Sequence, residues 1–204
     1  MKTILIRSTL LLALVAALPA CAPLMVGGMV GGAMVATDRR TSGIQLEDEG
    51  IEIKAASRLR EMLGGRGHIN ITSYNRQVLI TGEVPNQQDK DYVAKLVSEV
   101  ENVRLVVNEL VIGLNSSLTE RSTDALITAK VKGQMVDSKD IFANAYKIVT
   151  ERGGVYLMGR VTQREAERAT EVARQVSGVK KVVRVFEILT EAELNALLPP
   201  PPKK

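Results

Sequence analysis

The apolar residues of this chain recur at helical spacing in several stretches. In the first of these, Ala55, Leu59 and Leu63 lie four residues apart, which is typical of a helix with one buried face. The same pattern predicts helices over 47–63, 86–100 and 163–177 and another around residues 127–135. The positions expected to face a core are Ala55, Leu59, Leu63, Val93, Leu96, Val97, Val100, Ile127, Val131 and Met135.

Other stretches alternate apolar and polar residues, which predicts strands. Ile69 and Ile71 alternate with polar neighbours, and Val78 and Ile80 follow after a turn near Tyr74 and Asn75. Glycines at 153 and 154 predict a second hairpin turn. The predicted strands lie near 69–71, 78–80, 103–112, 144–150, 154–162 and 180–189.

These two sets of elements are copies of each other. Residues 79–84 match residues 156–161 at an offset of 77, and residues 100–103 match 176–179 at an offset of 76. One inserted residue near Pro85 explains the change of offset. The sequence therefore contains a tandem duplication.

The predicted fold class is α+β, with two tandem αββαβ modules, each a three-stranded sheet with two helices packed on one face. We expect the modules over 46–114 and 119–190, joined by a linker at 115–118. Gly82 and Gly159 occupy matching places inside a strand, where glycine weakens the pairing unless a bulge or close packing requires it. Both are predicted to be structural positions.

The N-terminus has the features of a bacterial lipoprotein signal. A short positive segment precedes an apolar stretch too short to span a bilayer comfortably, and residues 18–21 read Leu-Pro-Ala-Cys, as in a lipobox. We expect cleavage after residues 1–20 and lipidation of Cys21, the only cysteine of the chain. An aspartate directly after the lipidated cysteine favours retention of a lipoprotein in the inner membrane. Ala22 occupies that position here and therefore indicates the outer membrane.

Two flanking segments are each open to two interpretations. Residues 21–45 are expected to be a flexible tether, although Gly28 and Gly32 have the spacing of a helix self-association motif. Residues 191–204 are expected to be a solvated tail with four prolines and two lysines at its end, or alternatively a polyproline ligand.

Several stretches resemble BON domains. Each module has an apolar-Gly-x-Val strand and a Val-x-x-Val-Val closing strand, and the resemblance is strongest at residues 37–40, 124–135, 155–166 and 177–182. A lipobox followed by two such modules is similar to the dual-BON outer-membrane lipoproteins. This resemblance implies a protein on the inner leaflet of the outer membrane that binds anionic phospholipid through its second module. It also implies recruitment to the division site and a role in envelope integrity.

The charges of the two modules favour the same assignment. Residues 46–114 carry 8 Lys and Arg against 11 Asp and Glu, a net charge of −3, whereas residues 119–190 carry 13 against 9, a net charge of +4. Each basic residue near an anionic bilayer contributes ~1 kcal/mol. The second module is therefore the better candidate for binding phospholipid.

The first helix of that module has an outer face that can lie in a membrane interface. The residues predicted to bind lipid are Leu126, Lys130, Lys132, Gly133, Gln134 and Val136. Without the resemblance, these residues fit equally well with a solvated helix face that carries one exposed leucine. Related modules carry Trp at the place of Leu126, and leucine lacks the preference of an indole for the headgroup region.

The sequence argues against catalysis, a cofactor, a small-molecule substrate and nucleic acid. His68 is the only histidine and is expected to be a surface strand residue, so no metal site is predicted. The acidic residues 47–49 are expected to stabilise the start of a helix. No phosphate-binding or dinucleotide-binding loop is present, and aromatic residues are scarce. The alternative function is docking on a protein partner in envelope assembly or peptidoglycan remodelling.

Overall fold

The computed structural model describes residues 38–197. The first module contains two helices and four strands, and the second contains two helices, a 3-10 turn and three strands, with a last helix after it. Both modules follow the predicted αββαβ order. The bounds are α1 Ser42–Leu63, β1 His68–Tyr74, β2 Gln77–Val84, α2 Gln87–Ser98, β3 Leu105–Asn108, β4 Val111–Ile112, α3 Leu118–Asp137, 3-10 Ala143–Ala145, β5 Tyr146–Glu151, β6 Gly154–Thr162, α4 Gln163–Arg174, β7 Lys181–Leu189 and α5 Glu191–Leu197.

Each sheet has the second strand of its hairpin at the centre. β2 pairs antiparallel with β1 and parallel with β3, and β6 pairs antiparallel with β5 and parallel with β7. Parallel neighbours need a crossover connection, which α2 and α4 provide. In the first module the closing strand is divided at Glu109 and Leu110, where the Asn108 side chain accepts the Leu110 N–H. This division corrects the single strand predicted over 103–112.

Each module has its own core between its two helices and one face of its sheet. The residues predicted to face inward are buried in these two cores, from Ala55 at 0% exposure to Leu96 at 9%. Their spacing therefore gave the correct orientation of the helices. At ~25 cal/mol for each Å² of apolar surface, this burial is the main stabilising contribution to each module.

A third apolar cluster lies between the two sheets. Tyr74 and Leu79 of the first module pack with Tyr156, Met158 and Val185 of the second. The central strands are therefore buried on both faces, one against helices and the other against the opposite sheet. This explains why β2 and β6 contain runs of consecutive apolar residues, at 78–80 and 155–158, instead of a clean alternation.

Helix α1 begins at Ser42, five residues before the predicted start. Thr41 caps it, because the threonine hydroxyl accepts the N–H of Ile44. Residues 47–49 consequently lie inside the helix, and the prediction that they stabilise its start is wrong. Asp48, in the middle of this acidic run, is only 2% exposed.

Asp48 connects α1 to the turn between β1 and β2. Its carboxylate accepts the backbone N–H groups of Asn75 and Arg76, both at 2.8 Å, and the hydroxyl of Ser73 at 2.7 Å. Asn75 and Arg76 have φ angles of 51° and 65°, as in a two-residue type I′ turn. The turn therefore lies one residue later than predicted.

Asp124 has the same position in the second module. It accepts the N–H groups of Arg152 and Gly153 at 2.7 and 2.8 Å. These two residues have φ angles of 52° and 77° and form the turn, which corrects the predicted turn at 153 and 154. A carboxylate bound to two backbone donors holds each first helix against its hairpin.

Gly82 and Gly159 face the edge strand of their own sheet at very short range. A Cβ on Gly82 would lie 1.9 Å from the carbonyl oxygen of His68, and one on Gly159 would lie 2.7 Å from that of Ala145. Gly82 also has a φ of 113°. Gly82 is paired inside the β1–β2 ladder without a bulge, whereas Gly159 pairs with Tyr146 at the end of the β5–β6 ladder, next to Ala145. The glycines are therefore required by close approach of a neighbouring strand.

The segment after β7 contains a short helix, α5. Thr190 caps it by accepting the N–H of Glu193, whose carboxylate accepts the Thr190 N–H in return. Leu194 is 8% exposed and holds the helix to the second module. Residues 191–197, expected to be part of the tail, are thus helical.

Candidate lipid-binding surface

Helix α3 carries the predicted lipid-binding residues. A capping box fixes its start, since the Ser117 hydroxyl accepts the Glu120 N–H and the Glu120 carboxylate accepts the Ser117 N–H. Ile127, Val131 and Met135 are at most 4% exposed and pack in the core of the second module. One face of the helix is thus fully occupied, and the opposite face meets solvent.

All six predicted residues lie on the exposed side of α3. Leu126 and Val136 are 62% and 65% exposed, which is high for large apolar side chains. The polar members and the glycine of the set are exposed as well: Lys130, Lys132, Gly133 and Gln134. Their placement at the surface is established, and their role in lipid binding stays a prediction.

Four of the exposed residues form one continuous apolar stripe. Leu126, Ala129, Gly133 and Val136 follow each other at steps of three, four and three residues, and all four are exposed. At about 100° per residue this stripe is centred opposite the buried one. We call these four residues the α3 stripe. The predicted set missed Ala129, although its spacing was visible in the sequence.

Lys130 and Lys132 flank the α3 stripe. Within residues 38–197, neither ammonium group has a carboxylate within 4.0 Å, whereas Lys147, Arg168 and Lys181 of the same module are paired. Both charges are therefore available to an anionic partner. Sequence reasoning also missed Phe142, which is 62% exposed and lies in the loop that follows α3. It belongs to no periodic element, so the helical pattern gave no signal for it.

The segment from Asp38 to Arg40, which lies within the range expected to be tether, is bound to both modules. Arg39 is 8% exposed and donates to the two carboxylate oxygens of Glu165 at 2.8 and 2.6 Å and to the carbonyl oxygen of Arg160 at 2.7 Å. Burial opposes ionisation of Glu165, but the hydrogen bonds from Arg39 and from the Thr162 N–H outweigh it and keep the pKa of Glu165 below its usual value.

Arg40 makes the corresponding contacts with the first module. Its guanidinium donates to Asp38 and to the buried Asp48, both at 2.8 Å, and lies 4.2 Å from the centre of the Tyr74 ring. Contacts with the modules thus begin before residue 42, within the range expected to be tether. The predicted signal peptide at 1–20, Cys21 and the Pro/Lys end at 199–204 lie outside the described residues.

Comparison with known proteins identifies the class of both modules. The BON domain family matches residues 48–113 and 123–190, which together cover more than half of the chain. The chain therefore belongs to the BON family and contains two BON domains. Within residues 38–197, no helix combines the length and the apolar character needed to cross a membrane.

Two curated relatives resemble most of the chain. Outer membrane lipoprotein DolP of Haemophilus influenzae is 38% identical over 174 residues, which cover 84% of this chain and 90% of the relative. The 21 kDa hemolysin of Actinobacillus pleuropneumoniae is 33% identical over 73% of this chain and 78% of its own length. The chain is thus a dual-BON, lipid-anchored outer-membrane protein of the DolP type. Neither the family description nor the DolP name denotes an enzyme.

Among solved structures, CdsD of the type III secretion system of Chlamydia trachomatis is 17% identical to the chain. The match covers 74% of this chain and 68% of that one, and its TM-score is 0.29. The likeness is too low to compare the two folds.

Proposed function

We propose that this lipoprotein binds anionic phospholipid through the outer face of α3 while lipid on Cys21 anchors it in the inner leaflet of the outer membrane. In this role it supports outer-membrane integrity, at the division site in growing cells. The observation that carries the proposal is the α3 stripe, an exposed apolar row opposite a fully buried one. Beside it lie two lysines that form no ion pair within residues 38–197.

The stripe has the composition of an interfacial surface. Leu126 and Val136 present large apolar side chains, whereas Ala129 and Gly133 between them are small and project little from the helix. Insertion of a leucine or valine below the headgroups contributes roughly 1.5–3 kcal/mol when its burial is complete. Each nearby lysine adds ~1 kcal/mol on an anionic surface. Together these contributions give weak binding for a free domain.

With a covalent lipid anchor, even weak binding by α3 is sufficient to hold the second module on the membrane. The tether keeps α3 close to the bilayer, so each contact forms at a high effective concentration. Arg39 and Arg40 hold residues 38–40 against the two modules, so that at most 16 residues separate Cys21 from the folded part. Anchor and helix then form a two-point attachment to one leaflet.

The proposal is tested with residues 37–204, which lack the anchor, mixed with vesicles of phosphatidylglycerol or of phosphatidylcholine. We expect binding to phosphatidylglycerol vesicles at low salt and a marked loss at 0.5 M salt, because screening weakens the lysine contribution. Phosphatidylcholine vesicles should bind at least tenfold more weakly. If neither kind of vesicle is bound at low salt, the proposal fails.

A second function, docking on an envelope protein, is favoured by the outer face of α1. Leu46 and Ile53 are 71% and 70% exposed and lie seven residues apart with Gly50 between them. This apolar face belongs to the acidic module, which an anionic membrane repels. Crosslinking from Ile53 in living cells tests it: a discrete product with an envelope protein is expected, and the absence of any product removes this candidate.

A further inference from the structure

A histidine and two buried carboxylates come together where the two modules meet. His68 is the first residue of β1, Glu83 lies beside it on β2, and Glu151 is the last residue of β5 in the other module. One potential ligand atom from each residue lies within 4.8 Å of those of the other two. The His68 Nδ1 atom is 3.3 Å from an oxygen of Glu83.

Both carboxylates of the cluster are buried, and among the described residues only Glu83 has an arginine partner. Glu83 is 0% exposed and Glu151 is 7% exposed. Glu83 accepts from Arg152 at 3.2 Å and from the Ser116 N–H at 3.0 Å. Glu151 accepts from the side-chain amide of Asn70 at 2.8 Å, but among the described residues it forms no ion pair with a lysine or arginine. Buried carboxylates are ordinarily paired with a cation or bound to a metal.

A second observation at this place is an unsatisfied hydroxyl. The Oγ1 atom of Thr81 is buried and has no hydrogen-bond partner within the described part of the chain, and Thr81 is 1% exposed. Thr81 precedes Glu83 by two residues on β2, so both side chains leave the strand on the same face. It also pairs with Asn70, the residue that donates to Glu151. This unpartnered hydroxyl therefore lies on the face of β2 that carries Glu83.

We propose that His68, Glu83 and Glu151 bind one divalent cation, with zinc as the best match, and that this ion joins the two modules. One imidazole nitrogen and two carboxylate oxygens leave a fourth position for water, as in many three-ligand zinc sites. Two ligands of a tetrahedral zinc ion stand roughly 3.4 Å apart when each bond is about 2.0–2.1 Å, close to the observed separation of His68 and Glu83. A nitrogen ligand disfavours magnesium and calcium.

Arg152, which is bound to Glu83, does not block such a site. The side chain of Arg152 is 43% exposed and binds one oxygen of Glu83, whereas His68 contacts the other. Arg152 can therefore keep its bond or swing into solvent when the ion enters. The single histidine made a metal site improbable from sequence, and only the packing of the modules supplies the carboxylates.

The test uses the lipidated full-length protein in detergent, with its purification tag removed and its metal stripped by a chelator. Zinc chloride is titrated by calorimetry, and Tm is followed in parallel, with magnesium chloride as the comparison. We expect one zinc ion per chain, a rise in Tm of roughly 5 °C at a hundredfold excess over Kd, and no effect of magnesium. Because His68 is the only histidine, its imidazole nitrogen resonances report the binding without ambiguity.

Two variants assign the site. His68→Ala and Glu151→Gln should each weaken zinc binding at least tenfold, and Glu151→Gln has nearly the same shape and retains an acceptor for Asn70, so its fold should be intact. The matched control is Glu101→Gln, which alters an exposed carboxylate paired with Lys54, and it should bind zinc as the wild type does. Absence of saturable zinc binding, or undiminished binding in either site variant, overturns the proposal.

Discussion

Arg39 and Glu165 are 126 residues apart in the sequence and form a bidentate ion pair in the structure, with both side chains at most 7% exposed. Removing one partner of a buried pair leaves the other charge without compensation, at a cost of ~3–5 kcal/mol. We therefore expect Arg39→Ala to lower the free energy of unfolding by about this amount in urea denaturation.

The double variant Arg39→Ala with Glu165→Gln provides the control. Because it no longer buries an unpaired carboxylate, it should recover part of the loss caused by Arg39→Ala alone. A loss below about 1 kcal/mol in the single variant would show that the segment at 38–40 is not held as the structure indicates.

The same pair predicts a dependence on pH. The pKa of Glu165 is held below its ordinary value of 4.5, so its ionised form stabilises the fold above that value, and this contribution is lost as the pH falls through the lowered pKa. Unfolding in urea between pH 6 and pH 3 should show a steep loss of stability in the wild type and a shallower loss in Glu165→Gln. Glu83 and Glu187 also have lowered pKa values and maintain a residual slope. Identical slopes in the two proteins would contradict this account.

The two helix-to-hairpin aspartates should differ in importance. Asp48 accepts two backbone N–H groups, the Ser73 hydroxyl and a guanidinium N–H of Arg40, whereas Asp124 accepts two backbone N–H groups. A hydrogen bond to a charged group contributes roughly 1.5–3 kcal/mol. Thermal unfolding should therefore show a larger fall in Tm for Asp48→Ala than for Asp124→Ala. The reverse order would be inconsistent with these contacts.

Replacing either of two glycines with alanine should change the stability of the protein in opposite directions. Gly82→Ala would force a methyl group against the carbonyl of His68 in a backbone conformation with φ of 113°, so a loss of several kcal/mol or failure to fold is expected. Gly133→Ala has open space around the added Cβ in the middle of α3 and should stabilise the protein by up to about 1 kcal/mol. Urea denaturation separates the two outcomes, and a tolerated Gly82→Ala would contradict the described strand geometry.

The sequence predicted those features that depend on local periodicity. The helical spacing of Ile127, Val131 and Met135 identified the buried face of α3 and hence the exposed position of Leu126. Local periodicity could not predict the contact between the two sheets, because an apolar strand such as β6 does not reveal what covers its second face.

Long-range polar contacts were harder to predict. Arg39 finds Glu165 only because the chain folds back across the second module, and no spacing in the sequence encodes that path. Asp48 was wrongly predicted to stabilise the start of a helix, although its spacing from Asp124 offered a signal for its actual role. Asp48 and Asp124 are 76 residues apart, which is one of the two offsets of the duplication, so a shared structural role could have been predicted for them.

The central claim is that α3 of the second module, and not exposed apolar residues in general, contacts the bilayer. Leu126→Glu tests it against Leu46→Glu, which changes a leucine of similar exposure on the first helix of the acidic module. Both proteins should keep the wild-type Tm, because neither leucine is in a core. In co-sedimentation of residues 37–204 with phosphatidylglycerol vesicles at low salt, we expect Leu126→Glu to bind at least tenfold more weakly and Leu46→Glu to bind like the wild type. Equal binding by the two variants would contradict the claim.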